Sequence, residues 1–151
     1  MAEESAEELT AHINALTRVS EGGDVWIDVS VDPASAESVG AAIARRVAEY
    51  EPQLVVTWML PDESVLAHIV ARDLGIRTAR ADLDLGLITI EEELPAASRV
   101  LLVTTIDDPY RRLNSLYTLL EGQGHTVVAA ASVISAGTPL VESDIPQFEL
   151  A

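Results

Sequence analysis

The chain has no cysteine and no lysine. The first absence removes a disulfide framework, a thiolate nucleophile and a cysteine-based zinc site together. The second leaves arginine as the only basic residue type, nine copies against 25 acids, for a net charge of −16. Charge of that sign opposes polyanions and anionic membrane surfaces, so neither nucleic acid nor membrane is an expected partner. No apolar run approaches the roughly 20 residues that span a bilayer. The opening residues, Met1-Ala2-Glu3-Glu4, lack the basic and apolar regions of a signal peptide, and the expected location is the cytoplasm. The three histidines, His12, His68 and His125, fall on separate elements without metal-ligand spacing, so no metal site is expected. Glycine is missing from the whole interval between Gly86 and Gly122. No Ser/His/Asp arrangement stands out, and no catalytic residue is assigned.

What remains is apolar and ordered. Hydrophobic residues make up 48% of 151 positions, enough for one domain, 1–151, with a sizeable core. Ser5 and Glu8 form a capping box, and Leu9, Ile13 and Leu16 follow at helical spacing, so an N-terminal helix is predicted within residues 1–19. Residues 24–31 alternate apolar and polar, which predicts a half-buried strand. Asp32-Pro33 reads as the cap and first residue of a second helix. Residues 54–59 form a continuous apolar run, a buried parallel strand, and Pro61 restarts a helix that Gly75 stops. A short strand at 76–81, an acidic loop at 81–85 and a further strand at 86–90 come next. Residues 138–151 read as a C-terminal tail with a short edge strand at Leu140-Val141.

The most legible stretch is 99–133. An apolar strand (Val100 to Val103) meets a polar loop, then a helix with Leu113, Leu116, Tyr117 and Leu120 on one face. Gly122 and Gly124 end the helix, and a second apolar run covers 127–133. This is a βαβ unit. The order of elements predicts an α/β fold, a mostly parallel sheet with helices on both faces. In open sheets of this kind ligands bind at the carboxyl ends of the strands, which places the site at Thr104 to Arg112.

The pattern over roughly residues 20–135 resembles the type I phosphoribosyltransferases, most nearly the orotate phosphoribosyltransferase-like branch. The residues that carry the resemblance are Gly22 to Asp28 ahead of an Asp-Pro helix start, and Leu54-Val55-Val56 with the helix ending Arg72-Asp73-Leu74-Gly75-Ile76. The run from Glu93-Leu94-Pro95 to Val103 completes it. Such enzymes bind phosphoribosyl pyrophosphate (PRPP) with two acids after four apolar residues, followed by a Thr/Gly-rich loop that cradles a phosphate. The resemblance places the acids on Thr104 and Thr105 and the cradle on Asp107 to Arg112, DDPYRR. It places the pyrophosphate loop on TWMLPD, residues 57–62. A cradle without glycine cannot readily bring its backbone close to phosphate, and Pro109 lacks one N–H donor.

Candidate ligand-contacting residues are therefore Thr104, Thr105, Asp107, Asp108, Tyr110, Arg111 and Arg112, with Trp58 from the earlier strand. Each has two readings. Asp107-Asp108 is either an acidic pair displaced by three residues or a helix cap, with Asp108 capping ahead of Pro109. Arg111 and Arg112 either clamp a phosphate or pair with those two acids. Trp58 lines a pocket or packs in the core, and Trp26, on the less apolar side of its strand, is the better interface candidate. The glycine-free loop and the missing acids at the positions the resemblance marks point to a catalytically inactive homologue that acts through protein contacts or a small ligand, without a cofactor. The alternative is an active transferase that joins a nucleobase, orotate or a purine, to PRPP through an atypical site, with Mg²⁺. A nucleotide-sensing regulator is a third class. A homodimer is expected by resemblance, and any other protein partner is unspecified.

Overall fold

In the computed structural model, which describes residues 4–151, the N-terminal capping box forms as read: Glu8 N–H donates to Ser5 Oγ, and Ser5 N–H to the Glu8 carboxylate. The helix α1 is Ala6–Leu16. The chain then turns into a small antiparallel hairpin, β1 (Thr17–Val19) and β2 (Val25–Ile27). Helix α2 (Pro33–Val47) starts on Asp32, whose side chain accepts from Ser35 N–H. Strand β3 (Leu54–Trp58) is buried along its length and leads within two residues to α3 (Pro61–Leu74), ended at Gly75. Strands β4 (Arg77–Asp84) and β5 (Leu87–Ile90) form a second hairpin. The βαβ unit follows: β6 (Arg99–Thr104), α4 (Leu113–Gly122) and β7 (Thr126–Ser132). A last strand, β8 (Gln147–Glu149), closes the sheet.

The main sheet has the order β5-β4-β3-β6-β7-β8, with β5 alone antiparallel to its neighbour. Alternation along each strand assigns its side chains to two layers. Val55, Leu101, Val103, Ala129 and Ala131 pack under α1, α2 and α3. Leu54, Val56, Trp58, Leu102 and Ala130 pack under α4, whose Leu113, Leu116 and Leu120 are fully buried. The predicted α/β architecture, a mostly parallel sheet covered on both faces, is the observed one. Where α2 crosses α3, a Cβ on Gly40 would lie 2.4 Å from Ile69 Cγ2, so only glycine permits this approach.

Four expectations change. The strand predicted over 24–31 shrinks to β2, because Asp28 accepts from Ser30 N–H and Oγ–H and so turns the chain. It pairs with β1, in residues expected to be helical, and stands outside the main sheet. The acidic loop expected at 81–85 is ordered strand through Asp84, since Asp82 and Asp84 point outward on an edge hairpin. Leu140 and Val141 are not a strand; they are core residues under α4, and the added edge strand lies further on, at Gln147–Glu149. Finally, α4 begins at Leu113 rather than at Pro109.

Candidate functional site

The carboxyl ends of β3 and β6 lie side by side, and the β3–α3 and β6–α4 loops leave a pocket of about 170 Å³ between them. Five of the eight sequence candidates line it: Trp58, Thr104, Thr105, Asp108 and Arg111. The same wall holds Leu60 and Glu63 of the β3–α3 region, Ile106, and Trp26 from the β1–β2 hairpin. The lining is mainly apolar, with acids outnumbering the one arginine.

Glu63 is the residue that sequence reasoning missed. It reads as an ordinary acid in the first turn of a helix, favoured there by the helix dipole. In the fold its side chain is buried and crosses to the neighbouring strand end. Both carboxylate oxygens accept from Thr105 N–H, at 3.0 and 3.1 Å, and Oε1 also contacts Thr105 Oγ1. Burial pushes the Glu63 carboxyl above the usual glutamate value, against the opposing pull of the threonine hydrogen bonds. An acid is thus present beside Thr104 and Thr105, but it comes from α3. The signal in the sequence was slight: an acid two residues after Pro61, with no acid at the adjacent strand end to repel it.

The three other candidates leave the pocket. Asp107 is buried, and its carboxylate accepts from Leu113 N–H at 2.9 Å and from the Arg112 guanidinium. Arg112 also donates to the Pro139 carbonyl at 2.9 Å, so it ties the loop to the C-terminal segment. Burial raises the Asp107 carboxyl above the usual aspartate value, and both partners pull the other way. Tyr110 is 84% exposed. The capping role expected of Asp108 belongs to Asp107 instead. Asp108 stabilises a tight turn, accepting from Tyr110 N–H at 2.7 Å and Arg111 N–H at 3.2 Å. The reason is Pro109: it is followed by a turn that needs Asp108, which delays the helix by four residues and puts Asp107 in reach of Leu113 N–H.

Trp58 sits where the core meets the pocket. Its ring is 2% exposed in the core under α4 and also forms part of the pocket wall. Its Nε1 is buried without a hydrogen-bond partner, an unusual state for an indole N–H. Trp26 is 43% exposed, and Val25 beside it 40%. Asp62, at the pocket rim, accepts from Val29 N–H at 3.0 Å and so anchors the segment after β2.

At the level of sequence, no family model matches the chain and no curated protein does. Solved structures do match. An adenine phosphoribosyltransferase superposes with a TM-score of 0.76 at 15% identity, over 97% of this chain and 100% of the other. The Saccharomyces cerevisiae adenine phosphoribosyltransferase gives 0.74 at 16% identity, over 97% and 98%. The Mycobacterium tuberculosis orotate phosphoribosyltransferase gives 0.70 at 17% identity, over 96% and 94%. The chain has a phosphoribosyltransferase-like fold. At these identities the likeness is one of fold alone. No helix among the described residues is long and apolar enough to cross a membrane.

Proposed function

We propose that this chain is a phosphoribosyltransferase homologue without transferase activity, and that its carboxyl-edge pocket binds a small ligand or supports a protein contact. The observation that carries the reading is the Asp107 carboxylate seated at the start of α4. A helix N-terminus offers free N–H groups and a favourable dipole to a phosphate. Here Leu113 N–H is already given to Asp107, and the Arg112 guanidinium that could meet a phosphate is paired with the same carboxylate. An incoming phosphate would displace a buried, doubly bonded anion.

Size argues the same way. Pockets for drug-sized ligands run to roughly 300–1,000 Å³, and this one is about 170 Å³. The residues also fit a magnesium-bound diphosphate poorly. Asp107 faces inward, Glu63 is spent on Thr105, and Asp108 holds its turn. As a secondary proposal, the exposed Val19, Val25 and Trp26 of the β1–β2 hairpin supply an apolar patch for a homodimer. A monomer mass by light scattering at high concentration would exclude that.

Calorimetric titration of PRPP with Mg²⁺ tests the reading. The expected outcome is no saturable heat below millimolar concentration. Saturable heat in that range, lost when Asp107→Asn and Asp108→Asn are combined, would establish a displaced acidic pair and put the active-transferase alternative first.

A further inference from the structure

The sheet has two edges, and they are built differently. Edge strand β8 is three residues long, carries Glu149, and is followed by Ala151, whose N–H donates to the Val133 carbonyl. Edge strand β5 is Leu87-Ile88-Thr89-Ile90, with no charge, no proline and three branched apolar residues. Natural sheets usually blunt such an edge with lysine, proline or a bulge. This one has none.

The backbone of β5 is oriented for pairing. Asp84 and Leu87 are partners across the two-residue turn Leu85-Gly86, both of which have positive φ (49° and 77°), as a tight hairpin turn requires. Antiparallel alternation then turns the N–H and C=O groups of Leu87 and Thr89 toward β4 and those of Ile88 and Ile90 outward. The side chains at the tip are also uncovered: Leu85 is 95% exposed and Leu87 70%.

Beside this edge, on the α4 side of the sheet, lies a cavity of about 390 Å³ whose exposed lining is mostly polar, with Glu92, Gln123 and His125 beside Ile88, Ile90 and Leu119. It lies where inward side chains of one further strand would enter. His125 is buried, and its Nδ1 accepts from Ser98 N–H at 3.1 Å.

Charge selects the occupant. Asp82, Asp84, Glu91 and Glu93 are exposed around the hairpin. Arg80 is paired with Glu92, and Arg77 donates to the Glu93 carbonyl. A second copy pairing through β5 would bring its own Glu91–Glu93 against the same acids, on a chain of net charge −16. We propose that β5 is a docking edge for an extended segment of a basic partner protein. That segment adds a seventh strand to the six-stranded main sheet, turns every second side chain toward the cavity, and sets flanking Lys or Arg against the hairpin acids.

The test uses the full chain and a synthetic peptide of alternating Val and Thr flanked by Lys and Arg, followed by hydrogen exchange and fluorescence anisotropy. Saturable binding is expected, with protection gained at the Ile88 and Ile90 amides. Two versions of the peptide, N-methylated at every second residue in opposite phases, keep the protein unchanged. One phase should bind at least about tenfold more weakly and the other should bind as before. Glu in place of the flanking Lys and Arg should weaken binding by a similar factor. The proposal fails if the peptide does not bind, or if both N-methylated phases bind alike. It also fails if the same amides become protected by self-association without peptide.

Discussion

Two loops carry a strand into a helix at the carboxyl edge of the sheet, and they dispose of their acids in opposite directions. The β3–α3 loop is two residues long, and its acids lie in the helix: Asp62 reaches out to Val29 N–H and Glu63 across to Thr105. The β6–α4 loop is eight residues long, and its acid lies in the loop: Asp107 reaches forward to Leu113 N–H. Neither helix has a side-chain hydrogen bond from its own N-cap residue, Leu60 or Arg112. The difference teaches how an acidic chain settles this fold. Where the loop is short, the helix acids bind neighbouring elements. Where it is long, the loop's own acid serves the helix. Of these carboxylates, only that of Asp107 takes an N–H group at a helix N-terminus, that of Leu113.

The sharpest way to break this comparison is Asp107→Ala. It leaves Leu113 N–H and the half-buried Arg112 without their partner, and the expected loss is about 2–4 kcal/mol in urea unfolding. Asp62→Ala, which removes one hydrogen bond from a partly buried acid, should cost about 1 kcal/mol. Equal losses would show that the long loop is not held by its acid.

A smaller effect separates the loops by pH. The Glu63 carboxyl is raised in the folded chain. A raised acid stabilises fully below its unfolded value, and that contribution is lost as pH rises through its folded value. The neutral amide introduced by Glu63→Gln carries no such slope. The stability difference between variant and parent should therefore shift toward the variant as pH rises from about 4 to 8. Asp28 and Asp32 are lowered by hydrogen bonds from Ser30 and Ser35, so their contributions are lost as pH falls. They are common to both proteins and cancel in the difference. A pH-independent difference would mean that Glu63 is ionised at no cost.

The smallest expected effect is Trp58→Phe. It deletes a buried N–H that has no partner and removes part of a core ring, two changes of opposite sign. Net stability should change by less than about 1 kcal/mol. A loss well above that, measured by thermal unfolding, would reveal a partner for Nε1.

Much of the scaffold was legible because it is local. The continuous apolar runs at 54–59 and 100–103 specify strands buried on both faces, and the Ser5, Asp32 and Gly75 signals mark helix ends through bonds spanning three to five residues. The pocket between β3 and β6 lies at the strand carboxyl ends, the place where sheets of this kind bind ligands. The misreadings share a cause. Asp108 and Asp107 are equally good caps in sequence, and only the turn after Pro109 decides which one faces Leu113. Leu140 and Val141 look like an edge strand, but the partner they bury against is α4.

By itself the sequence determined the parallel sheet, its two helical layers and most helix starts, because side-chain periodicity and capping act over a few residues. Only the tertiary structure decided which acids line the pocket. Glu63 and Thr105 are 42 residues apart, and their hydrogen bonds exist because β3 and β6 run parallel as neighbours. No local pattern encodes a bond across two loops. It follows from the relative position of two strand ends, which the whole core holds in place.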